Sequence, residues 1–252
     1  SNGCLRGICN TCHTSQSQDI FSLLMWLNNW TFAETLRHVR GNTAAPARRI
    51  KTPAIYNLKP DQRKLAKIQS VWQDTKQIGL FNAAGRYLVL RGLAGALQDT
   101  PESLRFHESV PYFEHGTNHG SYPAMIAKVL DLQGHHITNH RTYLTDDGRK
   151  APLESPRKLM SCAFTGASRG CAVRLGVPNQ SLFLTEGIET GLAIMLGFGR
   201  PVWACLSASN LSAVEIPEYV NHVFICADKD RSGVGQNAAQ SLARRLNSEH
   251  RS

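Results

Sequence analysis

Near the C-terminus three short apolar runs alternate with three segments of helical texture, and no other feature of the 252-residue chain restricts its fold as much. The runs are "SLFLT" from Ser181, "PVWACLS" from Pro201 and "HVFICAD" from His222; between and after them lie "IETGLAIMLGF", "NLSAVEI" and "GQNAAQSLARRLNSE". A strand that is apolar on both faces must be covered on both, and intervening helices supply that cover. The predicted class is therefore α/β, with a mostly parallel sheet flanked by helices. In the last helical segment Ala238, Leu242 and Leu246 share one face, with Arg244 and Arg245 pointing elsewhere.

Ligand chemistry in such sheets gathers at the carboxyl ends of the strands. Glu186 follows the first run, and Asp228 and Asp230 follow the third. Three carboxylates brought to one sheet edge repel one another unless cations sit between them, and a few hard oxygen ligands select magnesium or manganese. Gly187, Gly233 and Gly235 are expected to keep side chains away from an approaching phosphate. An aspartate that ends a strand is also a common turn former, so it is the order and placement of both motifs that point to metal.

Upstream the texture changes. From Arg105 to Arg174 short alternating runs and turn signals predict a β-rich unit, with "DDG" at Asp146–Gly148 joining two strand-like pieces. Before it, helical spacing covers Pro60–Gln77 and continues through Ala83–Leu90. "GNTAAPARRIKTPA" reads as a linker. Gln18–Val39 fits two short helices, with Thr31 as N-cap and Glu34 three positions on, the spacing of a capping box.

Charge is one-sided. Arg37, Arg40, Arg48, Arg49, Lys51, Lys59, Arg63, Lys64, Lys67, Lys76, Arg86 and Arg91 face only Asp61 and Asp74 between Leu36 and Gly92, and the chain carries a net +9. Such a stretch suits contact with a polyanion, although a solvated helix face looks the same. No apolar run approaches the roughly 18 to 20 residues of a membrane span, and the first residues lack the charged-then-apolar layout of a signal peptide. Cys162, Cys171, Cys205 and Cys226 sit in or beside apolar runs, as buried thiols do, so the expectation is a soluble cytoplasmic protein.

"TEGIETGLA", "PVWACLSASNL" and "ICADKDRSGVGQNAA" together resemble a Toprim domain, the fold shared by DnaG-type primases, type IA and II topoisomerases, OLD-type nucleases and RecR-type repair proteins. "EGIET" with "DKDRSG" is most similar to plasmid- and phage-encoded primases and primase-helicases. Upstream, "YLVLRGL", "LRFHESVPYF", "PAMIAKVLDLQG", "HRTYLTDDGRKAP" and "GCAVRLG" resemble the basic RNA-polymerase-like domain that precedes Toprim there. The resemblance divides the chain into a partial zinc-ribbon-like, helical segment at 1–40, a linker at 41–58, the mixed α+β basic part of a primase core at 59–178 and a Toprim fold at 179–252. It implies that Glu186, Asp228 and Asp230 bind metal and support nucleotidyl transfer. The spacing of Gly233 and Gly235 departs from relatives in which a single glycine precedes alanine.

"RGICNTCHTSQSQDIF" is similar to the second half of a primase zinc ribbon. Cys9 and Cys12 form one knuckle, with Cys4 and His13 as irregular extra ligands for zinc, whereas a complete ribbon needs two knuckles. The chain is accordingly expected to begin inside the ribbon and, at "RRLNSEHRS", to end as a truncation.

Candidate contacts to nucleic acid or nucleotide are Arg141, Lys158 and Arg174, then Lys150, Arg91 and Arg105, with His135, His136, His140 and Tyr143 nearby. The resemblance implies a nucleotidyltransferase, a DNA primase making short primers from nucleoside triphosphates on single-stranded DNA in plasmid or phage replication, partnered by a fused or separate helicase. The rivals are a Toprim nuclease or topoisomerase and a non-catalytic DNA-binding module. The six tyrosines lie in no topoisomerase-like context, and the phosphate loop of OLD-type nucleases is absent from the sequence.

Overall fold

The computed structural model describes residues 6–7, 18–19, 25, 30–31, 34–35, 60–164, 169–228 and 233–249. Cys4, Cys9, Cys12, His13, the 41–58 linker and Asp230 lie outside them. Among the described residues, β1 (Arg6–Gly7) pairs antiparallel with β2 (Gln18–Asp19). The expected capping box forms: the Thr31 N–H donates to Glu34 Oε2 at 2.7 Å and the Glu34 N–H to Thr31 Oγ1 at 3.3 Å.

Two helices open the main body. Helix α1 (Gln62–Gln73) starts at Asp61, whose Oδ1 accepts the N–H groups of Arg63 and Lys64. Helix α2 (Ala83–Leu90) starts at Asn82, whose Oδ1 accepts the Gly85 N–H at 2.9 Å. Each cap satisfies donors that a helix start leaves without an internal partner. The β-rich unit follows: β3 (Leu104–Glu114), β4 (Thr117–Leu130), β5 (His136–Tyr143), β6 (Arg157–Leu159) and β7 (Ala172–Arg174), all paired antiparallel to their neighbours. Between β5 and β6 the "DDG" stretch makes its turn, closed by the bridge of Leu144 to Lys150.

The last third alternates as expected: β8 (Ser181–Thr185), α3 (Ile188–Phe198), β9 (Val202–Ala204), α4 (Ala208–Ala213), β10 (His222–Cys226) and α5 (Val234–Ser248). Helix α4 begins two residues before the expected Asn210, because Ser207 Oγ accepts the Asn210 N–H and caps the helix earlier. Strands β10, β8 and β9 are parallel. This parallel sheet does not stand apart from the antiparallel one. Strand β7 pairs with β9 on one side and β4 on the other, giving the order β10-β8-β9-β7-β4-β5-β6 with β3 on β4.

Both faces of the parallel part are covered. Phe183, Val202, Ala204 and Phe224 pack with Ile188, Leu192 and Ile194 of α3 and with Tyr87 and Leu88 of α2. Leu182, Leu184 and Trp203 pack on the other face with Leu211 of α4 and Ala238, Leu242 and Leu246 of α5. The hydrophobic face expected of α5 is the one it buries, while Arg245 reaches the carbonyl of Val214. The layering brings the residues directly after β8 and β10 to the same end of the sheet.

Candidate active site

Strands β8 and β10 are adjacent and in register, Thr185 opposite Cys226, so the next residues of each chain segment emerge together. Glu186 leaves β8 there. Its carbonyl accepts the N–H of Leu206 at 2.8 Å, and the Cys205 N–H donates to Thr185 O at 2.7 Å, which extends the ladder past the named strands. Leu206 takes a positive φ of 70°, a conformation that costs a bulky residue energy and occurs where surrounding structure enforces it. The Thr185 hydroxyl donates to the Gly187 carbonyl at 2.9 Å and closes the turn into α3.

A cleft of about 370 Å³ opens at this point. Glu186, Gly187, Ile188, Glu189, Leu206 and Asp228 form one wall, and His140, Arg157, Lys158 and Leu159 the other. Asp228, the residue after the end of β10 but one, is exposed. Gly235, in the first turn of α5, is buried against Glu186: a Cβ there would lie 2.3 Å from Glu186 Oε1 and 3.1 Å from the Asp228 carbonyl oxygen. Its lack of a side chain therefore makes room for the carboxylate itself, where the sequence suggested room for a phosphate. Behind the acids the Cys205 thiol is raised by burial and by Glu186, and the Cys226 thiol is pushed up to about 12 by burial and by Asp228. Both stay protonated and inert.

The facing wall comes from β5 and β6. Opposed residues of an antiparallel pair point to one face, so His140 with Leu159 and Thr142 with Arg157 turn to the cleft side. His140 is 8% exposed, and burial together with Arg157 and Arg141 pushes its pKa down to about 4 despite the opposing charge of Glu189. Glu189 accepts a hydrogen bond from the Tyr87 hydroxyl across the boundary between α3 and α2. Burial alone would raise the Glu189 carboxyl, but the Tyr87 hydroxyl, a backbone N–H and the charges of Arg157 and Lys150 outweigh it and hold the carboxyl below its ordinary value. Tyr87 itself is pushed far up by burial and by Glu189, with Arg91 and Arg157 opposing. Arg157 and Lys150 thus act on Glu189, and Arg91 adds its charge beside Tyr87 and Lys150, giving a cationic group at the edge of the acidic cleft.

Other basic candidates are engaged within the protein. Arg141 donates to the Leu159 carbonyl at 3.1 Å with its guanidinium 5.5 Å from the centre of the Tyr143 ring. Lys158 borders the cleft, yet its ammonium bonds Glu114 and the Phe113 carbonyl over the Tyr112 ring. Arg174 donates to the carbonyls of Asp131 and Leu132 and covers Trp203 at 4.5 Å. Arg105 lies 5.7 Å from the Trp72 ring centre, beside Lys128 at 4.2 Å. Arg157, Glu189 and Tyr87 are not among the contacts read from sequence, where His140 enters only as a neighbour of the basic candidates. The alternation of "HRT" against "RKL" carries the signal for Arg157 and His140, once β5 and β6 are known to pair.

Among the described residues, Glu114, His115 and Glu154 have possible ligand atoms within 4.8 Å of one another. This group lies at the β3–β4 turn outside the cleft, and Glu114 already bonds Lys158 and Tyr112.

The fold and cleft define an α/β protein with carboxylates at the carboxyl ends of two neighbouring parallel strands. Residues 181–252 match the family model described as "Toprim domain", and residues 62–175 match "Domain of unknown function (DUF7146)". The C-terminal unit is a Toprim domain. No curated protein matches the sequence. Similar solved structures include the zinc-binding and RNA polymerase domains of the Aquifex aeolicus primase, at 13% identity and TM-score 0.46 over 97% of this chain and 70% of that one. Another is the primase fragment of the bacteriophage T7 primase-helicase protein, at 12% identity and TM-score 0.37 over 95% of this chain and 76% of that one.

No described helix is long and apolar enough to cross a membrane.

Proposed function

We propose that this chain is the catalytic core of a DNA primase, joining nucleoside triphosphates into short primers on a single-stranded DNA template with divalent metal, in plasmid or phage replication. The observation that carries the reading is one cleft with Glu186 and Asp228 on one wall and Arg157 on the other. Carboxylates and a guanidinium across a single cleft match the two charges of a metal-bound triphosphate.

The donor set fits magnesium or manganese: hard carboxylate oxygens at strand ends, one of them seated against a residue with no Cβ. Glu186, Asp228 and, following the family resemblance, Asp230 would hold the ion. When bound, it neutralises triphosphate charge and lowers the pKa of an attacking hydroxyl. Arg157 binds phosphate oxygens, with Lys150 and Arg91 adding positive potential. Glu189, which accepts from the Tyr87 hydroxyl, supplies a negative charge beside Arg157 and Lys150 at the start of α3. Leu159, Leu206 and Ile188 limit water in the cleft, which strengthens each of these charge contacts. Lys158 at the cleft and Arg141, Arg174 and Arg105 are proposed contacts for template, a helicase is the proposed partner, and zinc is proposed for Cys9 and Cys12.

Incorporation of labelled ribonucleotides on single-stranded DNA is expected to vanish in Glu186→Gln and in Asp228→Asn. Undiminished synthesis in both variants would overturn the assignment.

A further inference from the structure

We propose that His140 is the residue through which the cleft recognises a sugar hydroxyl of the incoming nucleotide, and so discriminates ribonucleotides from deoxyribonucleotides. The inference rests on the cleft being a nucleotidyl-transfer site, and it assigns a group that reading leaves without a task.

Two observations meet at this side chain. His140 lines the cleft from the middle of β5 although it is 8% exposed, and its Nδ1 is buried with no hydrogen-bond partner. Buried polar atoms in native proteins nearly always have partners, so a buried imidazole in the wall of a cleft with one nitrogen unmet is half of an interaction that a ligand completes. The ring is also uncharged near neutral pH, because burial, helped by the charges of Arg157 and Arg141 and opposed by that of Glu189, disfavours its protonated form. A neutral imidazole is a poor counter-ion for phosphate. It carries one donor and one acceptor, which is the complement of a hydroxyl.

Position selects the hydroxyl. On the shared face of β5 and β6, His140 opposes Leu159 and Arg157 opposes Thr142, so His140 and Arg157 are offset by two residues, ~7 Å along the strand. With phosphate held by Arg157 and metal by the carboxylates across the cleft, a group one such step away meets the sugar, which is joined to the phosphate, before the base. A protein that hydrogen-bonds a hydroxyl from a desolvated site rejects the analogue lacking it, because its own polar atom is then stranded.

The test is direct titration of the full chain with ATP and with dATP in the presence of magnesium. Wild type is expected to bind ATP about tenfold more tightly, as one such hydrogen bond implies. His140→Phe, of similar size and without nitrogens, should bring the ratio near one by weakening ATP, and His140→Asn should restore part of it. The wild-type comparison needs no variant to fold, and melting curves report folding for the two substitutions. Equal affinities in wild type, a ratio that survives His140→Phe, or a loss that differs between ATP and CTP and so follows the base would each overturn the inference while leaving nucleotidyl transfer standing. Binding of neither nucleotide would remove the nucleotide reading of the cleft as well.

Discussion

Gly235→Ala separates the position of the Glu186 carboxylate from the stability of the fold. The new methyl carbon would start 2.3 Å from Glu186 Oε1, and ordinary contact begins near 3.4 Å, so the carboxylate must retreat by 1.1 Å, the difference of the two. The Asp228 carbonyl oxygen at 3.1 Å blocks escape of the methyl in that direction. Misplacing a reacting or metal-holding group by about 1 Å costs on the order of a hundredfold in rate. Stability responds in the other sense. Gly235 lies within α5 at an ordinary helical φ, where alanine gains up to about 1 kcal/mol over glycine. Turning the flexible Glu186 arm off its preferred rotamer gives back about the same. The unfolding temperature should therefore stay within a few degrees of wild type while kcat/KM for primer synthesis falls about a hundredfold. Both are read on one preparation, by thermal melting and by labelled-nucleotide incorporation. A variant with full activity would refute the reasoning, since a displaced Glu186 would then be of no consequence.

Metal should stabilise the protein by mass action, by about 2.7 kcal/mol at a hundredfold excess over its dissociation constant, and Asp228→Asn should abolish the magnesium-dependent rise in melting temperature; an equal rise in both proteins would place the cation elsewhere. Protonation of His140 should weaken the fold. Its ring titrates near 4 in the native chain and near 6.5 when unfolded, so between those values the unfolded chain binds the extra proton. Stability should decline as pH falls from about 6.5 towards 4, by on the order of 3 kcal/mol for this group. Chemical denaturation across that range should show a shallower decline in His140→Phe, and identical profiles would show that the ring has little part in it.

The C-terminal alternation was legible because its physics is local. Apolar runs such as "SLFLT" and "HVFIC", alternating with helical segments, read as strands of a covered parallel sheet, and a glutamate directly after such a run emerges at its carboxyl end. Thr31 and Glu34 were readable for the same reason, since a capping box spans three residues. Cross-strand facts were not. Whether Arg157 or Lys158 shares the strand face of His140 depends on which of them opposes Thr142, a pairing fifteen positions away in sequence, and one step of register would exchange them. Arg174 looked available to a polyanion, yet Trp203 and two carbonyls of the β4–β5 connection receive it, contacts visible only once β7 lies beside β9. Glu189 was hidden by its motif: in "EGIET" it reads as an acidic first-turn helix residue, while its partner Tyr87 comes from another part of the chain.

The three residues of β7 bear on how far the two matched segments are separable modules. Ala172–Arg174 belong to the segment that ends at 175, but half of their ladder is made to β9, inside the segment that begins at 181. A cut between 175 and 181 would strip β9 of its neighbour, lay open Val202 and Trp203, both buried in the intact chain, and take the Arg174 guanidinium off the indole. A bare, apolar sheet edge recruits strands from other molecules. In grafting or recombining this Toprim unit, the smallest portable piece is therefore set by the sheet, and begins with β7 rather than at the boundary between the matched segments.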